Sequence, residues 1–159
     1  MALRNIVKDG DPVLLKKSRE VQKFDQRLHT LLDDMKETLY ESGGVGLAGV
    51  QVGVLRRVAV IDVGEGLIEF INPKIVEKKG LHKVVEGCLS FPDQYGIVER
   101  PVYVKAEYFD RFGKKHIVEG EDLFAQAMCH EFDHMDGVVF KSKVLRMLSP
   151  EELEQRREE

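Results

Sequence analysis

Two stretches of helical repeat, residues 24–42 and 122–135, bracket a middle that reads as strands, and this order limits the folds open to the chain. In FDQRLHTLLDDMKETLYES, Leu28, Leu31, Leu32, Met35 and Leu39 recur at helical spacing and form one apolar stripe. Asp25 stands where an N-cap is wanted, and Gly43-Gly44 end the pattern. Between the helices, RRVAVIDV and LIEFINP read as strands joined through GEG, and KIVEKKGLHKVVEGCLSF follows them. In RPVYVKAEYFDRFGKKHIVEG, Val102, Val104, Ala106 and Tyr108 alternate with polar neighbours before the turn signal DRFGKK, which predicts a hairpin. Helix, antiparallel-looking strands, then helix is an α+β order, unlike the regular alternation of a parallel sheet. The expected architecture is therefore antiparallel strands packed around a central helix in the C-terminal half. At 159 residues the chain can bury a core without disulfide staples, and it is expected to form one domain over 1–159. Its core should run from about 4 to 147, with a tail over 148–159 whose Ser149-Pro150-Glu151 start predicts a short helix.

Charge and composition exclude some functions. A net charge of −4 argues against a sequence-independent grip on nucleic acid, which needs a surplus of lysine and arginine. No apolar run approaches the ~20 residues of a membrane span. MALRNIVKDG has neither the apolar core of a secretion signal nor the character of a transit peptide, so a cytoplasmic location is expected. In a reducing compartment the two cysteines, Cys88 and Cys129, are read as free thiols, core residues or metal ligands rather than a disulfide.

The second helix carries CHEFDHMDG, in which His130 and His134 lie four apart with Glu131 after the first. On a helix this spacing puts both imidazoles on one face, about a turn apart, where they can close on a single metal. Leu123 and Ala127 fall on the same face, seven and three residues earlier, and would give the site an apolar wall. A catalytic centre of this type needs a third protein ligand. Cys129 sits about 100° round the helix from His130 and points away, so it reads as a small buried thiol. Cys88 in EGCLS is a candidate on spacing alone. His29 is expected on the solvated face of the first helix, and His82 and His116 on exposed polar strand positions.

Three segments, GVGLAGVQ (residues 44–51), EGCLS (86–90) and HEFDH (130–134), occur in an order that resembles the signature motifs of the peptide deformylases. These metallohydrolases remove the N-formyl group from new polypeptides. The resemblance implies that Cys88, His130 and His134 bind one divalent metal and that Glu131 is the catalytic acid/base. It further implies that Gln51 and the Leu89 N–H hold the reacting oxygen. Iron(II) is the implied natural metal, with zinc, nickel or cobalt as substitutes. The implied substrate is an N-formylmethionyl peptide, laid as an added strand beside Gly44, Val45 and Gly46, with its side chain in a pocket lined by Val45, Leu123 and Ala127. Gln126 would add a polar edge, and Glu86, Asp133 and Arg100 would form an ionic support behind the ligands. Acting on nascent chains implies a transient association with the ribosome, without direct reading of nucleic acid and without a membrane.

Two positions depart from the family pattern: Gly49 where alanine is common, expected to loosen packing locally, and Cys129 where glutamine is usual, which removes a supporting hydrogen bond. A metal-dependent peptidase and a catalytically silent peptide-binding protein are the competing readings. The first would need a third ligand downstream, yet no histidine follows His134. The second would need a closed four-ligand centre.

Overall fold

The first helix forms where its stripe predicts. In the computed structural model, which describes residues 2–158, α1 spans Gln26–Ser42. The Asp25 carboxylate accepts the Leu28 N–H at 3.1 Å, filling one of the helix's unpaired donors. Gly43 ends it in the left-handed region at φ 74°, with its N–H returned to the Leu39 carbonyl. Leu28, Leu32, Met35 and Leu39 are wholly buried. Burial of each contributes about 1.5–3 kcal/mol relative to exposure.

Among the described residues eight strands follow: β1 Gly46–Ala48, β2 Val58–Ile61, β3 Ile68–Lys79, β4 His82–Cys88, β5 Phe91–Arg100, β6 Tyr103–Phe109, β7 Lys115–Glu121 and β8 Arg146–Met147. The second helix, α2, occupies Asp122–Met135, and α3 occupies Pro150–Glu158. A five-stranded antiparallel sheet has the order β1-β2-β3-β6-β7, and a three-stranded one has the order β4-β5-β8. The hairpin predicted around DRFGKK is β6–β7, in register from Tyr103–Glu121 to Phe109–Lys115. The strand predicted at LIEFINP does not stop at its proline. It continues as β3 through an irregularity between Ile71 and Lys74, where Asn72 takes φ 48° and both its amide groups clasp the Val21 backbone at 2.8 Å.

β2 explains how the core is layered. Its side chains alternate across the sheet: Val58 and Val60 join the cluster of α1, while Ala59 and Ile61 join the cluster containing Phe70 and the α2 residues Ala125, Met128, Phe132 and Met135. The two helices thus cover opposite faces of the same strand, which is why VAVI carries no polar residue although its sheet is antiparallel. α2 lies against β1, β2, β6 and β7, buried along most of its length.

The histidines expected at exposed strand or helix positions are half-buried instead. His116 contacts the Asp110 carboxylate at 2.7 Å and stacks on Tyr108, and His29 Nε2 lies 2.8 Å from the Arg111 carbonyl. His82 has a ring nitrogen buried with no partner among the described residues. His29 is covered by the tip of the β6–β7 hairpin, 82 positions away in sequence, a contact that local spacing cannot anticipate.

Candidate metal centre and cavity

α2 places His130, Glu131 and His134 in the interior, all less than one-tenth exposed. β4 ends at Cys88, where the pairing with β5 shifts register between Gly87 and Cys88, a bulge that re-aims the terminal side chain. Cys88 Sγ and one nitrogen from each histidine converge within 4.8 Å of one another, and no other trio of potential ligands gathers among the described residues. His134 Nε2 is 3.4 Å from Cys88 Sγ. The other nitrogen of His130, Nδ1, is 2.7 Å from Glu86 Oε2, so a carboxylate orients this ring and leaves its Nε2 for the centre.

Glu86 is held in turn by Arg100, whose Nε reaches Oε1 at 3.0 Å and whose Nη2 reaches Oε2 at 2.5 Å. Arg100 Nη1 extends to Asp133 at 2.8 Å, and Lys143 closes on Asp133 at 3.0 Å. Glu86, Arg100 and Asp133 therefore form an ionic network behind the candidate ligand His130. Burial pushes the Glu86 carboxyl up, but the hydrogen bonds and charges of His130 and Arg100 outweigh it and bring it down to about 2. Burial together with the nearby His130 charge lowers His134 to about 3, leaving a neutral imidazole able to ligate. Burial also pushes the Glu131 carboxyl up to about 7, and its Oε1 has no hydrogen-bond partner among the described residues. A thiol and two imidazoles suit a borderline-soft divalent ion, and an unpartnered buried carboxylate beside them suits a group waiting for a proton. The residues fit a metal centre.

A cavity of about 470 Å³ opens onto this group and is lined by Gly44, Val45 and Gly46 on one side and by Leu123, Gln126 and Ala127 of α2 on another. All five pocket residues expected from the sequence border it. Leu89 lies in the turn after Cys88 and borders the cavity, and its N–H is in no hydrogen bond found among the described residues. Gln51 is brought to the ligand sulfur but does not line the cavity. Its Oε1 accepts the Ala48 N–H at 2.9 Å, while Nε2 donates to Ser90 Oγ at 3.1 Å and approaches Cys88 Sγ at 3.4 Å.

Sequence reasoning missed Tyr95, which borders the cavity from β5 and lies across from Gly87 in register. Its ring occupies the space where a side chain at residue 87 would stand. The glycine in EGC was the available signal. Cys129 is 6% exposed, packed in the core on the side of α2 away from the ligands, and burial pushes its thiol up.

The polypeptide deformylase family profile matches residues 3–149. A peptide deformylase of Caldicellulosiruptor bescii is 56% identical over 157 residues, covering 99% of this chain and 95% of that protein. One from Acetivibrio thermocellus is 54% identical, covering 99% and 93% respectively. The crystal structure of a Thermotoga maritima peptide deformylase superposes with a TM-score of 0.89 at 39% identity, covering 91% of this chain and 99% of that one.

Proposed function

The chain belongs to the polypeptide deformylase family, and from that premise we propose that Cys88, His130 and His134 hold its catalytic ion while Glu131 moves the protons of the reaction. The family removes N-formyl groups from nascent polypeptides, a metal-dependent hydrolysis. The observation that carries the residue assignment is the convergence of three ligand atoms within 4.8 Å beside a buried, unpartnered Glu131 carboxylate at the floor of an open cavity.

A divalent ion held by the three ligands would supply Lewis acidity and make water acidic enough to attack at neutral pH. The chain's own groups do the rest. Glu131 accepts a proton from the attacking water and returns it to the departing amine, a task suited to a carboxylate that burial has raised toward neutrality. The N–H of Leu89, a residue that borders the cavity, stabilises the charge that develops on the formyl oxygen. Gln51 joins it by turning toward that oxygen the N–H now near Cys88 Sγ. Val45 and Leu123, 41% and 47% exposed at the cavity mouth, are covered when the first side chain of the substrate enters. The peptide backbone adds as a strand beside Gly44, Val45 and Gly46.

Iron(II) is the proposed ion, since a thiolate with two imidazoles suits it, with zinc, nickel and cobalt as substitutes. Residues 4–147 are read as one catalytic domain with 148–159 as its tail. A cytoplasmic location and transient contact with the ribosome belong to the same proposal, since the family works on nascent chains; no described helix is long and apolar enough to cross a membrane.

The test is formate release from formyl-Met-Ala-Ser by protein purified without oxygen and loaded with iron(II), with acetyl-Met-Ala-Ser as control. Release from the formyl peptide alone is expected. Glu131→Gln should keep its metal and lose at least about a hundredfold in turnover, the low end for a positioned acid/base. Release by the variant at the wild-type rate would remove Glu131 from the mechanism.

A further inference from the structure

Gln126 lines the cavity yet spends its amide elsewhere. It stands one turn before His130 on α2, and its Nε2 donates to the Val85 carbonyl at 3.1 Å and to Glu86 Oε1 at 3.2 Å. Both neighbours are acceptors, so the NH₂ end of the amide must face them and both its hydrogens are committed. With Gln126 in place, each Glu86 oxygen has two donors. Oε1 takes Arg100 Nε and Gln126, and Oε2 takes Arg100 Nη2 and His130 Nδ1. Glu86 is 4% exposed, so an acceptor site left empty there has little water to fill it.

We propose that Gln126 is a positioning residue: from the wall of the side-chain cavity it locks the Glu86 carboxylate, and through Glu86 the His130 ring, in the orientation that ligation requires. The proposal rests on the reading of Cys88, His130 and His134 as ligands. Its geometry makes one wall of the cavity part of the metal support. The same amide also ties α2 to β4, the two elements that must stay in register for Cys88 to meet the histidines. Arg100 holds the carboxylate from the far side, so loss of Gln126 should loosen the ring without releasing it.

The test compares zinc-loaded wild type with Gln126→Met, which keeps the length and helix preference of the side chain but has no donor. The first readout is the rate at which zinc passes to a chromogenic chelator. The second is the split between kcat and KM for formyl-Met-Ala-Ser, measured on nickel-loaded protein. Groups that orient a metal ligand typically matter by about 10–100-fold in affinity or activity, and one further bond removed the expectation is at least roughly threefold faster release. A matching fall in kcat at constant KM should accompany it. Gln126→Glu, which sets a second carboxylate against Glu86 and the Val85 carbonyl, should release zinc faster still.

A residue that merely lined the cavity would raise KM and leave release alone. Release by both variants less than threefold faster than wild type would overturn the proposal. Zinc release requires no turnover, so a wild type that binds zinc but, loaded with nickel, frees no formate would sink the deformylase reading and leave this one to be judged on release. A wild type that binds no zinc would remove both.

Discussion

A Cβ at residue 46 would stand 2.5 Å from a Glu131 carboxylate oxygen, and one at residue 44 would stand 2.8 Å from the Leu89 side chain. The glycines of GVGLAGVQ look, in sequence, like room for an approaching substrate backbone. Much of that room is taken by the enzyme's own groups. Gly46→Ala should therefore act on chemistry before stability, because the methyl displaces the Glu131 carboxylate while β1 keeps its pairing with β2. Misplacement by about 1 Å can cost on the order of 10²-fold, and a fall of that size in kcat with metal content unchanged is expected. A variant with normal kcat would show that Glu131 has slack its burial does not suggest. Gly49 corrects an expectation in the opposite sense. An added Cβ there would meet the Val54 and Arg56 carbonyl oxygens and a Val58 methyl at 3.0 Å, so the backbone has closed over the missing methyl and the packing is not loosened.

Among the elements, the extended segment before α1 looks least important in sequence yet laces the site together. Its Val7 N–H reaches the Gln51 carbonyl at 2.7 Å and its Asp9 N–H the Ser90 carbonyl at 2.8 Å, so it spans the first two motifs. Asp34 on α1 anchors the other end, accepting the Ala2 N–H at 2.7 Å and the Arg4 Nε–H at 2.9 Å. Burial alone would raise the Asp34 carboxyl, but the Ala2 hydrogen bond and the Arg4 charge overcome it and hold the group below the usual carboxylate range. The sign of the pH effect follows. A carboxyl lowered by folding adds stability that is complete above its unfolded pKa, about 3.9, and is lost as pH falls through its own lower value. The gap in urea midpoint between wild type and Asp34→Asn should be constant from pH 5 to 8 and should close below about pH 4. A gap that widened in acid would contradict the anchor.

In the molecule as a whole, the candidate ligands, their ionic support and the cavity are assembled from two sheets and one helix, while α3 stands outside. Its sequence, PEELEQRRE, has no apolar stripe, and its Glu152 pairs with Arg146 at the surface, where solvent screens the attraction and it adds little. Truncation after Leu148 should leave formate release unchanged and shift the urea midpoint by less than about 1 kcal/mol of stability. A large loss of either would place α3 in the core assembly. The periodic elements were legible from sequence: α1 with its Asp25 cap and Gly43 stop, the β6–β7 hairpin, and α2 with both histidines on one face. Each of these is determined by residues within a few positions of one another, where spacing and turn chemistry act directly. Helix geometry set Cys129 aside, but spacing left Cys88 no more than a candidate, and only the resemblance singled it out. Nor could it show that Gln51 would be spent on Ser90 and Cys88, that Tyr95 would fill the place beside Gly87, or that Gln126 would grip Glu86. Those relations join residues up to 40 positions apart, and they exist only once the β4–β5 hairpin has folded against α2 and the Gln51 turn. Which side chains share a face is a local property of the chain; which faces meet is settled by how the whole core can be buried.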